Sequence, residues 1–198
     1  MANNRLLYKK MSVEELVVLS QKDDFKALEE LIRKVQKDVF ATLSYMLKSN
    51  ENLSDLTQEV LYKLAKNIQN LQNPGCFNGW LNHIVTNTYY DYIRKKKRAP
   101  EIISLEYSCP ALGVELNIDI PDKRSKPMEK CITSECEQNI KKAIRSLPES
   151  FRMAIVLREF QGLSYEEIAN TTNSSIGTVK SRISRARVKL HEVLKNYT

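Results

Sequence analysis

Residues 162–187 read GLSYEEIANTTNSSIGTVKSRISRAR, and this stretch decides the fold of the carboxy-terminal part of the chain. Glu167 follows Ser164 at a spacing of three residues, which is typical of a capping box at the start of a helix. Turn-forming residues occupy positions 170–174, and Ser175 is suited to cap a second helix. The stretch therefore predicts a helix-turn-helix.

The second of these helices has two chemically different faces. Apolar residues recur at intervals of three and four, which marks a buried side formed by Ile176, Val179, Ile183, Ala186, Leu190 and Val193. The opposite side and its flanks carry hydroxyl groups and cations: Thr178, Lys180, Ser181, Arg182, Ser184, Arg185, Arg187 and Lys189. Small polar groups ringed by cations suit the major groove of duplex DNA, where the centre reaches base edges and the rim meets phosphates.

Outside this stretch, helical periodicity dominates and strand alternation is almost absent. Apolar stripes over residues 25–47, 56–68 and 77–92 predict a helical bundle within residues 1–98. Periodicity fails over residues 99–130, where prolines and acidic side chains predict an extended acidic linker. Strand pairing near residues 114–120 is an alternative that the pattern leaves open. We expect an all-α fold in which this linker joins two small helical domains, residues 1–98 and 131–198.

Composition argues against several classes of protein. The longest apolar run falls far short of the roughly 20 residues of a transmembrane helix, and no export signal is evident, so we expect no membrane insertion and a cytoplasmic location. The four cysteines and two histidines lack the spacing of a zinc site. Neither a Gly-rich phosphate loop nor a nucleophile elbow is present. We therefore expect no metal, no cofactor and no enzymatic activity.

The net charge of +7 on 198 residues is concentrated in two patches. One is the run RKKKR at residues 94–98, and the other lies in residues 176–198. The rest of the chain is mildly acidic. Two separate basic patches are typical of a protein with two surfaces that each meet a polyanion.

The first basic patch extends a helix whose outer side also carries aromatic and amide groups. This side contains His83, Thr86, Asn87, Tyr90, Arg94 and Lys97, with Trp80 at its margin. Aromatic rings stack on unpaired bases at about 1–3 kcal/mol each while cations hold the backbone, so the face predicts single-strand binding. The alternative for Trp80 is that its ring only borders the core.

Taken together, these motifs resemble those of bacterial RNA polymerase sigma factors of the extracytoplasmic-function (ECF) group, part of the sigma-70 family. The matching stretches in the first half are residues 55–60, residues 77–81, Asn87, Asp91, Tyr92 and residues 94–98. Those in the second half are residues 147–149, 162–169 and 177–182, with Arg185 and Ala186. The resemblance implies a sigma region 2-like domain at residues 1–98 and a region 4-like domain at residues 131–198.

The resemblance also implies roles for particular residues. Docking on the clamp of the largest polymerase subunit is assigned to Asp55, Gln58, Glu59, Tyr62 and Lys63. Recognition and melting of the minus-ten element are assigned to the single-strand face together with three further residues, Asn73, Phe77 and Asn78. The minus-thirty-five element is read through Lys180, Ser181, Ser184 and Arg185. The polymerase flap and a dedicated anti-sigma protein are further implied partners.

The function that we predict is that of an alternative sigma factor, which binds core polymerase, directs it to specific promoters and promotes strand opening. One alternative is a helix-turn-helix regulator that binds duplex DNA without polymerase, at a symmetric site. Another is an enzyme acting on nucleic acid, for which the only candidate nucleophiles are Tyr89, Tyr90 and Tyr92 near Arg94, without a carboxylate pair.

Overall fold

The computed structural model describes residues 7–98 and 127–195, with side chains omitted for residues 127–135. Eight helices lie wholly within these ranges: α1 Val13–Ser20, α2 Phe25–Met46, α3 Leu53–Asn67, α4 Phe77–Arg98, α5 Pro127–Ser146, α6 Glu149–Glu159, α7 Tyr165–Thr171 and α8 Ile176–Leu194. Short 3-10 turns at Ile68–Asn70 and Pro74–Cys76 connect α3 to α4. The described residues contain no strand, and the all-α fold class is confirmed.

Helices α1 to α4 form the first domain around a core of aliphatic side chains, including Leu31, Leu43, Val60, Leu64 and Val85. The stripe predicted to begin at Phe25 is wrong at its first residue, since Phe25 is 79% exposed. The buried side of the first two turns of α2 instead contains Ala27 and Leu31. At about 100° per residue, both lie 120° or more around the helix axis from Phe25.

The helix-turn-helix is formed by α7 and α8, as the sequence predicts. The Ser164 amide donates to Glu167 Oε2 at 2.7 Å, and the Glu167 amide donates to Ser164 Oγ at 3.1 Å. Ser175 Oγ accepts from the Thr178 amide at 3.1 Å and so caps α8. These caps satisfy backbone donors that a helix start leaves without partners.

The cap at Ser164 has a measurable consequence for stability. We expect Ser164→Ala to lower the free energy of unfolding by about 1 kcal/mol, because the Glu167 amide loses its acceptor. Urea unfolding followed by circular dichroism measures this change. A matched control is Ser54→Ala, at an exposed serine for which no hydrogen bond is present among the described residues. Equal stability of the two variants would contradict a stabilising role for the capping box.

Helices α5 to α8 form the second domain, which packs directly against the first. Helix α6 lies on α2, and α7 lies on α4 near Gly79. Helix α5 begins at Pro127, so residues 127–130, predicted as the end of the linker, are helical. The physical reason is that proline is well accommodated in the first turn of a helix. The remainder of the predicted linker, residues 99–126, lies outside the described residues.

Candidate nucleic-acid interface

The outer face of α8 presents the small polar residues and the arginine that the sequence placed there. Ser181, Ser184 and Arg185 are exposed, whereas Val179 and Ile183 on the opposite side are buried. Ser181 Oγ donates to the Thr178 carbonyl at 2.9 Å, which turns this hydroxyl back towards the helix. The face is shallow at its centre, and such a surface can approach the floor of a major groove.

The cationic side chains around this face differ in their interactions with neighbouring residues. Lys180 Nζ lies 5.8 Å from the centre of the Tyr165 ring, and Arg182 Nη1 donates to Ser174 Oγ at 2.8 Å. Arg187 pairs with Glu159 at 2.6 Å, and this hydrogen-bonded carboxylate raises the pKa of its guanidinium. Arg185 has no hydrogen bond or ion pair within the described part of the chain. It is therefore free to reach a ligand.

Sequence reasoning missed one residue on this face. Val188 is 57% exposed and lies one and two helical turns beyond Ser184 and Ser181 on the same side. Its apolar side chain is of the kind that contacts a thymine methyl group in a major groove. The signal was present in the spacing, since Val188 does not belong to the buried stripe of α8.

The loop before α4 and the first turn of α4 hold four predicted single-strand residues in different environments. Asn73 Oδ1 accepts from the Gly75 amide at 2.9 Å, and both Asn73 and Asn78 are exposed. Trp80 is half-buried, with its ring centre 6.1 Å from that of Phe77. Phe77 itself is 2% exposed, because it is the first residue of the core stripe of α4. The prediction that Phe77 contacts DNA is therefore wrong for this arrangement.

Further along α4, one part of the predicted face is accessible. His83 and Asn87 are exposed, and Asn87 Nδ2 lies 3.1 Å from His83 Nδ1. Arg94 is exposed and pairs with Asp91 at 2.7 Å. Lys97 is exposed as well, with Nζ 3.6 Å from a carboxylate oxygen of Glu149 in the second domain. These groups form a polar and cationic strip that solvent reaches.

Another part of the same face is turned towards the second domain. Asn82, Thr86 and Tyr89 are buried, although the sequence placed Thr86 on the outer side. Tyr90, also predicted to be outward, is half-buried. Burial raises the pKa of the Tyr90 hydroxyl, while the nearby Glu149 raises it and Arg182 lowers it to smaller extents. The second domain thus covers part of the surface that we predicted to bind single strands.

The contact between the domains is centred on a pair that sequence reasoning did not find. Arg152 Nη2 donates to the Tyr89 hydroxyl at 3.3 Å, and both side chains are buried. Burial raises the pKa of Tyr89, and the bond from Arg152 opposes this shift. The spacing of Asn82, Thr86, Tyr89 and Ile93 does indicate a second stripe on α4. Nothing in the spacing indicates which element covers that stripe.

The residues assigned to polymerase docking lie along α3. Asp55, Gln58 and Tyr62 are exposed, and Tyr62 is 65% exposed despite its aromatic ring. Lys63 pairs with Glu59 at 2.8 Å and donates to Thr88 Oγ1 of α4 at 3.1 Å. Lys63 and Glu59 therefore help to hold α3 on α4, while the other three side chains project into solvent.

Within residues 7–98 and 127–195, no three His, Cys, Asp or Glu side chains lie close enough together to hold a metal ion. None of the helices described there combines the length and the apolar character needed to span a membrane.

Family comparisons match both domains separately. The family model for sigma-70 region 2 matches residues 31–99, and that for sigma-70 region 4 matches residues 137–190. The chain is 34% identical to the ECF RNA polymerase sigma-E factor of Haemophilus influenzae over 143 residues, which covers 70% of this chain and 72% of that protein. The corresponding factor of Escherichia coli K12 is 35% identical over 139 residues, or 69% of this chain and 70% of that protein.

A third relative is the ECF RNA polymerase sigma factor SigE of Mycolicibacterium smegmatis. It is 35% identical over 151 residues, covering 76% of this chain and 54% of that protein. The chain thus matches about half the length of this relative.

Two solved structures have a similar fold. RpoE from Bartonella quintana, solved with the anti-sigma factor NepR, has a TM-score of 0.61 and 27% identity, covering 86% of this chain and 98% of that chain. CnrH, solved with the cytosolic domain of CnrY, has a TM-score of 0.59 and 17% identity, covering 93% and 98%. From the two regional matches and the sequence identities to these relatives, the chain belongs to the ECF group of RNA polymerase sigma factors.

Proposed function

We propose that this sigma factor binds core RNA polymerase, directs it to a specific class of promoters and promotes strand opening. The observation that carries the proposal is the presence of two nucleic-acid surfaces of different chemistry in one chain. One is a shallow hydroxyl and arginine face on α8, and the other is a strip of amide, imidazole, indole and cationic groups on α4. The first suits paired DNA and the second suits separated strands.

The minus-thirty-five element is the proposed ligand of α8. Arg185 is the residue best placed to donate to a base edge, since it is exposed and without a partner in the described ranges. Ser181 and Ser184 border it and allow the helix to approach closely. Lys180, Arg182 and Arg187 are proposed to contact phosphates, which requires Arg187 to exchange Glu159 for a phosphate oxygen.

The minus-ten element is the proposed ligand of the loop before α4 and of the accessible strip on α4. Trp80 offers a ring for stacking on an unpaired base, and His83 and Asn87 offer hydrogen-bonding groups. Arg94 and Lys97 lie further along the helix and meet the backbone. Capture of unstacked bases would supply the free energy of melting, so no nucleotide cofactor and no catalytic step are needed.

Core polymerase is the proposed partner of the exposed side of α3. This side carries three exposed side chains, those of Asp55, Gln58 and Tyr62. We further propose an anti-sigma protein as a regulatory partner, because RpoE from Bartonella quintana was solved in a complex with the anti-sigma factor NepR. The site of action would be the cytoplasm, where core polymerase is found.

Transcription in vitro tests the proposal most directly. Genomic fragments are incubated with purified core polymerase, with and without this chain, and the transcript start sites are mapped. We expect new start sites only when the chain is added. Unchanged start sites would overturn the proposal, and tight binding to symmetric duplex DNA without polymerase would favour a helix-turn-helix regulator instead.

A substitution on α3 separates polymerase binding from DNA binding. We expect Tyr62→Ala to weaken association with core polymerase, because an exposed aromatic ring is a frequent anchor at protein interfaces. Fluorescence titration with labelled chain measures this loss. Binding of the variant to duplex DNA serves as the control and stays unchanged, because Tyr62 is far in sequence from α8 and plays no part in its fold. Undiminished polymerase binding would remove Tyr62 from the docking surface.

A further inference from the structure

We propose that Gln21 is a positioning residue for promoter opening, because its side-chain amide holds the start of the loop before α4 in the conformation that meets the minus-ten element. This inference rests on the proposed function. The loop comprises residues 68–76. Gln21 lies directly after α1, 47 and 50 residues before the two loop residues that it contacts.

One nitrogen of Gln21 forms a bridge between two backbone carbonyl groups. Gln21 Nε2 donates to the Ile68 carbonyl at 3.0 Å and to the Leu71 carbonyl at 2.7 Å. A primary amide carries two N–H bonds on one nitrogen, so it can serve both acceptors at once. Ile68 is 2% exposed and Leu71 is 7% exposed, and polar backbone groups at such positions need partners within the protein. The bridge therefore fixes the first turn of the loop.

The turn that carries Gln21 is itself held by backbone hydrogen bonds. The Gln21 amide donates to the Val17 carbonyl at 2.9 Å, at the end of α1. The Asp24 amide donates to the Leu19 carbonyl at 3.2 Å, and Asp24 Oδ1 accepts from the Ala27 amide at 3.1 Å at the start of α2. The side chain of Gln21 thus projects from a turn that both helices fix in place.

The loop before α4 is supported mainly at its two ends. Between Leu71 and Phe77, which are buried, the loop residues are exposed or half-buried. A groove of about 640 Å³ separates residues 73–75 from α1, and Glu14 and Val18 lie on its opposite wall. The middle of the loop therefore does not pack closely on α1. Its position depends on the two ends, and the bridge supports the first of them.

The end at Leu71 also sets the orientation of Asn73, a residue predicted to meet the minus-ten element. Asn73 Oδ1 accepts from the Gly75 amide at 2.9 Å, and the Asn73 carbonyl accepts from the Cys76 amide at 2.9 Å. These local hydrogen bonds join residues 73–76 into one unit. A group that binds a ligand selectively needs supporting hydrogen bonds of this kind to hold it in place. Without the bridge, the whole unit would move relative to α4.

A second hydrogen bond joins the same two segments at the surface. Gln69 Nε2 donates to Asp23 Oδ1 at 2.8 Å, and both residues are exposed. Water competes for both groups there, so this hydrogen bond contributes little to the order of the loop. We expect the half-buried bridge at Gln21 to be the stronger of the two contacts.

Two substitutions of Gln21 separate its hydrogen bonds from the space that the side chain fills. Gln21→Met has a similar length but no donor, whereas Gln21→Lys keeps a donor group. Gln36→Met is the matched control, because it makes the same chemical change at a half-buried glutamine of α2 that has no side-chain hydrogen bond to the described residues. Gln69→Ala removes the surface hydrogen bond alone.

Hydrogen exchange of the full chain measures the order of the loop without polymerase or DNA. Mass spectrometry follows the peptides that cover residues 68–76. We expect exchange there to be about tenfold faster in Gln21→Met than in the wild-type chain, and close to wild type in Gln21→Lys, Gln36→Met and Gln69→Ala. Unchanged exchange in Gln21→Met would overturn the role of the bridge. Equally fast exchange in Gln69→Ala would overturn it as well, by assigning the role to the surface hydrogen bond.

Open complexes formed with core polymerase test the consequence for promoters. If the loop is competent in about one tenth of the Gln21→Met molecules, the fraction of open complexes falls about tenfold, and Gln21→Lys restores it. Permanganate reactivity of unpaired thymines measures this fraction on a promoter mapped in the transcription experiment. On promoters with single-base changes in the minus-ten element, we expect Gln21→Met to lose its base preference at the positions that the loop reads and to keep it at the others. A general loss of stability would lower opening on all of these promoters alike.

The outcomes separate this inference from the proposed function. Wild-type opening and base preference in Gln21→Met, despite faster exchange in the loop, would overturn Gln21 as a positioning residue even if the chain initiates transcription. An equal loss on every promoter would also overturn it, because only stability would then have changed. Failure of the wild-type chain to initiate would contradict the proposed function, whereas the exchange experiment tests the bridge independently of initiation.

Discussion

Replacing Arg185 by alanine is expected to lower initiation at promoters with a minus-thirty-five element by about 5- to 150-fold, which corresponds to about 1–3 kcal/mol for one good contact between an arginine and a base. Arg185 is exposed at the centre of the α8 face, and no described side chain competes for its guanidinium. The loss is read as transcript yield across promoters that differ in this element, with core polymerase held in excess. Association with polymerase, measured separately, stays at the wild-type level.

A matched variant distinguishes base recognition from general attraction to phosphates. Lys189→Ala removes an exposed cation from the same helix, away from the centre of the face. We expect this variant to weaken binding to all promoters by a similar factor and to reduce the dependence of binding on salt. If Arg185→Ala behaves in the same way as Lys189→Ala, then Arg185 contacts the backbone and does not read sequence.

The second large effect is expected at Trp80. We expect Trp80→Ala to leave closed promoter complexes intact but to reduce the fraction of open complexes by about 5- to 150-fold, since stacking on one base contributes about 1–3 kcal/mol. The ring is half-buried on α4, about one helical turn before the exposed His83. Permanganate reactivity of unpaired thymines measures the opening.

The control for this experiment must separate stacking from support of the fold. Trp80 packs near Phe77, so its removal also loosens the first turn of α4. Trp80→Leu keeps apolar contact with Phe77 but lacks a ring of comparable size for stacking. We expect it to restore stability and to leave opening impaired. Normal opening by Trp80→Leu would show that the ring only borders the core, which is the alternative that the sequence left open.

Helix positions and caps were predictable because they depend on residues close together in the chain. Ser12 with Glu15, and Ser164 with Glu167, form capping boxes whose two partners are three residues apart. The stripe of Val179, Ile183 and Ala186 is buried because helical periodicity places those residues on one side. The exposed face of α8 follows from the same periodicity. For α8, the local pattern and the final structure agree at these positions, whereas Ile176, predicted on the same buried side, is 42% exposed.

The single-strand face was predicted less well, because its environment depends on the other domain. Helical periodicity predicted that Thr86 and Tyr90 lie on the side of α4 that faces away from the core of the first domain. That prediction takes account only of the packing of α4 against α1 to α3. In the structure Thr86 is fully buried and Tyr90 is half-buried close to Glu149 and Arg182 of the second domain, while His83 and Asn87 stay accessible. A pattern along one helix indicates which sides are apolar or polar, but it does not indicate which distant element packs there.

From the sequence alone came the all-α class, the helix-turn-helix, the two basic surfaces and the family. Each of these depends on spacing within one helix or on motifs of a few residues. Such local spacing does not depend on how distant parts of the chain pack. The bond from Arg152 to Tyr89, the buried hydroxyl of Thr86 and the division of the α4 face were decided only by tertiary structure. The physical reason is that these features depend on residues far apart in the chain, whose approach is set by how the two domains pack.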